Sequence, residues 1–126
     1  RMLGLALVHD LGEAVTGDVP APLQTEGDGR AQRERAGLAQ LADGLPADMR
    51  DALLALYDEY DAAQTPEARA VRGLDKCETI LQHLKGETAP DFDHAYNLHY
   101  GRARTDADPV ARALRARIDD LTRTRT

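Results

Sequence analysis

The residues best suited to chemistry are a histidine and an aspartate that lie side by side near the start of the chain. His9 and Asp10 interrupt an otherwise apolar segment, and Glu13 follows one helical turn later. Ionisable side chains in apolar surroundings are costly unless something neutralises them, and a divalent cation would do so. Imidazole nitrogen and carboxylate oxygen are suitable ligands for Mn²⁺, Co²⁺, Fe²⁺ or Zn²⁺, and Mg²⁺ stays a candidate for the carboxylates. The segment therefore predicts part of a metal site.

Each of these residues also has a simpler interpretation that needs no metal. His9 alone would be a partly buried structural histidine, whereas Asp10 and Glu13 would be polar residues at the end of a helix. Asp18, which follows Gly17, would be a turn or cap residue. Taken together in an apolar context, the four residues favour the metal site over these separate explanations.

A later acidic residue also stands in apolar surroundings. Asp75 is predicted to lie in the middle of a helix, near Val71 and Leu74. Considered alone, it would be an exposed carboxylate paired with Arg72 or Lys76. A metal site that contains His9 and Asp10, however, needs a further carboxylate from another helix to complete its ligands, and we expect Asp75 to supply it.

Amphipathic helices are the elements that must position these side chains. The first helix is expected to be largely buried because Leu3, Leu7 and Leu11 recur at helical spacing, and Gly17 is expected to end the segment. Helix starts are predicted at Thr65-Pro66 and Asp108-Pro109, where a capping side chain precedes proline. The predicted helices cover residues 1–15, 30–42, 47–61, 66–84, 91–100 and 109–122.

Composition favours one soluble, all-α domain. The chain has 126 residues, of which 42% are hydrophobic but only 4% aromatic, and β-sandwiches generally require more aromatic and β-branched residues. Its net charge of −6 disfavours long nucleic acid as a partner. The only cysteine, Cys77, excludes an internal disulfide and favours a cytoplasmic setting. No apolar run is long enough to predict a membrane span.

Several motifs occur in order and with compatible spacing over residues 1–81. They are His9-Asp10-Leu11-Gly12-Glu13, Gly17-Asp18-Val19-Pro20-Ala21-Pro22, Arg33-Glu34, Tyr57-Asp58-Glu59-Tyr60, Thr65-Pro66-Glu67-Ala68 and Leu74-Asp75-Lys76-Cys77-Glu78. With these motifs the chain resembles the HD-domain metal-dependent phosphohydrolases, and it is most similar to the branch that contains the 5′-deoxynucleotidases. The C-terminal part is similar to the family only in being helical.

The resemblance implies a single HD domain over residues 1–126, a bundle of about six helices, with the motifs in 1–84 and the C-terminal helices in 91–122. It also implies that His9, Asp10 and Asp75 ligate the metal and that Glu13 and Asp18 lie beside the attacking water and the phosphate. The family's remaining histidine ligand is expected on a helix before residue 1, so that the N-terminal helix of the fold is absent from this sequence.

The positions of the other histidines bear on the metal site. His83 is predicted two turns beyond Asp75, too far along the helix axis to share an ion with it. His94 and His99 stay open as alternative ligands, although packing roles are favoured. No histidine occurs between Asp10 and Asp75, where two-metal HD proteins carry further ligands, so one divalent ion is predicted.

The activity that the resemblance implies is release of phosphate from deoxynucleoside 5′-monophosphates or similar small phosphates. The expected partners are therefore a small nucleotide substrate and a second copy of the chain, since relatives often form homodimers. Two alternatives stay open. One is an HD hydrolase acting on a phosphodiester or a nucleoside triphosphate, and the other is a degenerate HD fold that serves as an interaction module.

Overall fold

A computed structural model describes residues 1–126. All of its regular structure is helical, which confirms the predicted all-α class. The chain divides into two compact units, Arg1–Ala63 and Gln64–Thr126. Short 3₁₀ helices cover Ala21–Leu23 and His94–Leu98. The α-helices are α1 (Met2–Val8), α2 (Glu13–Thr16), α3 (Arg30–Leu41), α4 (Ala47–Ala62), α5 (Pro66–Lys85), α6 (Arg102–Asp106) and α7 (Pro109–Arg123).

The first unit is built on α4, which packs against both α1 and α3. Val8, Leu38 and Tyr57 form its buried core, one residue from each of these three helices. The Tyr57 hydroxyl donates to the Ala31 carbonyl at 3.1 Å and contacts Glu34 Oε2 at 3.0 Å. This core fixes α1, which leads directly into the His9–Asp10 pair.

The predicted continuous helix over residues 1–15 is wrong. α1 ends at Val8 and α2 begins only at Glu13. The buried side chains are Leu5 and Val8, whereas Leu3 is 81% exposed and Leu7 is 73% exposed. Apolar residues occupy more than one face of this segment, so their spacing did not determine which face α4 covers.

Close approach of two backbones explains the conformation around the break. A Cβ atom on Gly12 would lie 2.0 Å from the Glu34 carbonyl oxygen, and one on Gly37 would lie 2.6 Å from the Gly12 carbonyl oxygen. Between α1 and α2 the chain is held by tighter turns, such as the bond from Glu13 N to Asp10 O at 3.0 Å. Gly17, with φ of +78°, ends α2 as predicted.

The second unit is built on α5, which packs against α6 and α7. Both predicted helix starts are confirmed: the Thr65 hydroxyl accepts from Ala68 N, and Asp108 accepts from two backbone N–H groups of α7. The core between α5 and α7 consists of Cys77, Ile80, Leu84 and Ile118.

The predicted helix over residues 91–100 is also wrong, and a buried arginine accounts for the difference. Arg115 on α7 is completely buried and donates to the backbone carbonyls of Asn97 and Tyr100, each at 2.7 Å. It also pairs with Asp119 at 2.7 Å. Because these carbonyls face a side chain, the region forms a 3₁₀ helix followed by the short, unpredicted α6.

No helix combines the length and the apolar character that a bilayer crossing requires.

Candidate metal centre

His9 lies immediately after α1 and its imidazole is held from two sides. Its Nδ1 donates to the Ala6 carbonyl at 2.7 Å, a bond that only the protonated nitrogen can make because a carbonyl only accepts. The ring also packs against the buried Tyr60 ring of α4, with 5.0 Å between the centroids. A neutral imidazole in this tautomer presents its lone pair at Nε2, which is how a metal-ligating histidine is usually oriented.

Asp10 places a carboxylate oxygen close to that lone pair. Its Oδ2 atom lies 3.1 Å from His9 Nε2. Two electron-rich atoms at this separation are favourable only if positive charge accompanies them, either as a proton on the imidazole or as a cation bound by both. The donor set of one imidazole nitrogen and one carboxylate oxygen therefore fits a divalent cation.

The pKa of Glu13 is affected by other carboxylates of the first unit. The pKa of Glu13 is raised to about 7, chiefly because its side chain is partly buried and then because of the negative charges of Asp10, Asp18 and Glu34, while His9 acts in the opposite direction. A bound cation would lower this pKa again. The predicted catalytic residue Glu13 is thus partly buried among negative charges, whereas Asp18 lies exposed in the loop after α2.

Glu34 also belongs to this acidic group; the sequence analysis gave it as part of the Arg33-Glu34 motif but assigned it no role at the site. Its carboxylate contacts the Tyr57 hydroxyl and pairs with Arg30 Nε at 3.3 Å. Apart from that motif, Arg30 and Glu34 are four residues apart on α3, a spacing that is typical of an ordinary ion pair. Its relation to Glu13 depends on the packing of α2 against α3.

Asp75 lies in the middle of α5, as predicted, and α5 belongs to the second unit. Its Oδ2 atom is 2.9 Å from Lys76 Nζ, and the Asp75 side chain is only 17% exposed. The simpler interpretation was therefore correct in its partner, Lys76, and wrong in its exposure. Burial lowers the pKa of Lys76, but the attraction of Asp75 and Tyr100 outweighs this effect and the net shift is upward. Lys76 is consequently a full positive charge beside Asp75.

Two of the later histidines, His83 and His94, make contacts away from Asp75 in the second unit. His83 follows Asp75 by two turns of α5, more than about 10 Å along the axis. Its Nδ1 lies 2.8 Å from Asn97 Oδ1, and its ring packs against Phe92. His94 packs against the same phenylalanine ring, and His99 is exposed. These contacts favour packing roles for His83 and His94.

The all-helical fold and the histidine–aspartate pair, whose donor atoms fit a cation, are together the features of a helical protein with a metal site. The sequence profile of the HD domain matches residues 1–115. The chain therefore belongs to the HD domain family.

Curated relatives are similar over most of the chain. The human protein named 5′-deoxynucleotidase HDDC2 is 36% identical over 94 residues, covering 75% of this chain and 45% of the human protein. The mouse protein of that name is 38% identical over 82 residues, covering 65% and 41%. The Enterobacter 5′-deoxynucleotidase Ent638_2835 is 34% identical over 68 residues, covering 51% and 34%.

The chain spans less than half the length of these relatives. No solved structure matches it.

Proposed function

We propose that this chain is a metal-dependent phosphohydrolase that releases phosphate from deoxynucleoside 5′-monophosphates. The observation that carries the proposal is the placement of His9 Nε2 and Asp10 Oδ2 at 3.1 Å, with Nδ1 tied to the Ala6 carbonyl. Membership of the HD domain family and the named activity of the relatives supply the reaction class.

His9, Asp10 and Asp75 are the proposed ligands of one divalent ion, which would be Mn²⁺, Co²⁺, Fe²⁺, Zn²⁺ or Mg²⁺. The His–Asp pair supports two of these assignments through its geometry, and the family motif supports the third. When bound, such an ion neutralises charge on a phosphate oxygen and lowers the pKa of a water molecule.

Glu13 and Asp18 are the proposed acid–base residues. One carboxylate orients the attacking water and takes its proton while the water oxygen forms a bond to phosphorus. The bond from phosphorus to the 5′ oxygen breaks, and the other carboxyl group supplies a proton to that oxygen. The products are a deoxynucleoside and inorganic phosphate. The partial burial of Glu13 among other carboxylates supports its place in this pair.

A phosphate-release assay tests the function directly. The protein is incubated with Mn²⁺, Co²⁺ or Mg²⁺ and with deoxynucleoside monophosphates, nucleoside triphosphates and a phosphodiester. We expect release from the monophosphates and loss of at least about 100-fold in rate for Glu13→Gln. The matched control is Glu26→Gln, an exposed loop residue that should retain full activity. Preference for another substrate class, or full activity in Glu13→Gln, would contradict the proposal.

We also propose that residues 1–126 act as one HD domain, that the protein is cytoplasmic and that it forms a homodimer. The family match, which runs through both units, supports the first point. The single, buried cysteine supports a reducing compartment.

The exposed apolar side chains of Leu3 and Leu7 supply surface that a second copy would cover in the proposed homodimer. Light scattering coupled to size-exclusion chromatography tests the dimer, and a monomeric mass would contradict it.

A further inference from the structure

Lys76 is held in an unusual position for a lysine next to an aspartate on a helix. Consecutive helical residues point in different directions, so a lysine at this position would normally extend away from Asp75 into solvent. Instead its Nζ atom lies 2.9 Å from Asp75 Oδ2, and its side chain is only 21% exposed. Something other than the helix must hold it there.

The segment around Tyr100 and Gly101 provides this restraint. Lys76 Nζ lies 5.6 Å from the centroid of the Tyr100 ring, which is itself stacked on Tyr96 with 5.4 Å between centroids. The stem of the lysine crosses Gly101, where a Cβ atom would lie 2.8 Å from Lys76 Cβ and 2.9 Å from Cγ. Any side chain at residue 101 would displace the lysine, so glycine is required there.

Fixing a long, flexible side chain costs conformational entropy, and the fixed position has one evident consequence. The Lys76 ammonium group contacts Oδ2, one of the two carboxylate oxygens of Asp75, and so restricts rotation of the carboxylate. Metal ligands are commonly oriented by such a hydrogen bond from a neighbouring group, and its loss weakens metal binding.

We propose that Lys76 is a positioning residue that holds Oδ2 of Asp75 so that Oδ1 is presented to the divalent ion. This inference rests on the proposed role of Asp75 as a metal ligand. It also predicts the sign of an effect. If Lys76 acted only through its positive charge, it would repel a cation, and its removal would tighten metal binding. If it orients Asp75, its removal weakens binding.

Calorimetric titration of the full chain with Mn²⁺ distinguishes the two cases. Lys76→Met keeps the length of the stem and removes the ammonium group, and we expect Mn²⁺ affinity to fall at least about 10-fold. Lys76→Arg keeps a cationic donor and should restore most of that affinity. The matched control is Lys85→Met, the same substitution at an exposed position on α5, which should leave the affinity unchanged. Unchanged or tighter binding by Lys76→Met would overturn the inference.

Two further variants separate this inference from the proposed function and from a folding defect. If Asp75→Asn binds Mn²⁺ as tightly as the wild type, the metal role of Asp75 fails and the inference fails with it. If Asp75→Asn loses Mn²⁺ but Lys76→Met does not, the inference alone fails. Gly101→Ala retains Lys76 but displaces it, and we expect the same loss of affinity as in Lys76→Met; wild-type affinity would contradict the positioning role. Circular dichroism melts define a titration temperature at which every variant is folded.

Discussion

His9 is oriented by contacts that lie outside the metal site itself. The Ala6 carbonyl fixes which ring nitrogen carries the proton, and the Tyr60 ring limits rotation of the imidazole. The first contact is local, between residues three apart at the end of α1, whereas the second depends on α1 and α4 being packed together. The helical end of α1 therefore sets the tautomer that presents Nε2 toward Asp10, and the packing against α4 holds the ring in place.

Substitution of Tyr60 tests whether its ring orients His9 for metal binding. Tyr60→Leu removes the aromatic surface against His9, so the imidazole gains rotational freedom and Mn²⁺ affinity should fall about 10-fold. Tyr60→Phe keeps the ring and should remain within about threefold of the wild type. Calorimetric titration measures both affinities. Equal affinity of the leucine and phenylalanine variants would show that the ring does not orient His9.

The contact between the α2 region and α3 depends on Gly12. A Cβ atom there would lie 2.0 Å from a backbone oxygen, which cannot move without shifting α3. We expect Gly12→Ala to lower the free energy of unfolding by about 3 kcal/mol, as for severe overpacking. Urea denaturation measures this change.

Gly44 is the matched control for that substitution. A Cβ atom on Gly44 would have no neighbour within 4 Å, and its backbone does not require positive φ. Gly44→Ala should therefore change the free energy of unfolding by less than about 0.5 kcal/mol. A similar loss in both alanine variants would mean that the close approach at Gly12 does not limit the fold.

A bidentate ion pair links α3 to α4, and its contribution to stability depends on pH. Arg35 donates to both carboxylate oxygens of Asp58, at 2.6 and 2.9 Å. The Arg35 hydrogen bond lowers the pKa of Asp58 below its usual 3.8. The stabilisation is therefore present above pH 3.8 and is lost as the pH falls through the lowered value. Both side chains are about half exposed, so solvent screening keeps the contribution small.

Arg35→Met should accordingly lower the free energy of unfolding by about 0.5 kcal/mol at neutral pH. The difference from wild type should be smaller below pH 3.8 than at neutral pH, because protonation of Asp58 removes the charge that Arg35 binds. Urea denaturation at the two pH values measures the difference. An equal loss at both pH values would assign the effect to lost packing of the arginine stem.

Across the chain, the helices that could be predicted from the sequence are those whose ends are specified by neighbouring residues. The start of α5 has a capping hydroxyl followed by proline, and α7 begins with a capping aspartate followed by proline. These features act within one turn, so the sequence order alone reveals them. The all-α class follows from the same local preferences.

The two errors in the predicted helices have non-local causes. The break between α1 and α2 occurs where Gly12 meets the backbone of Glu34, and the region before α6 is shaped by Arg115 from α7. Neither contact is visible in the helical spacing of nearby residues. The candidate site shows the same division between local and non-local information. Residue type indicated His9 and Asp10, whereas the effect of the Glu34 charge on the pKa of Glu13 depends on the packed structure.

Calorimetric titration with Mn²⁺ measures whether His9 and Asp10 bind a divalent cation. The wild-type chain should bind one equivalent, and Asp10→Asn, which removes the charge but little volume, should weaken binding at least about 10-fold. The matched control, Asp43→Asn, alters an exposed aspartate of the same unit and should bind as the wild type does. Undiminished Mn²⁺ affinity in Asp10→Asn would contradict a metal site at His9 and Asp10.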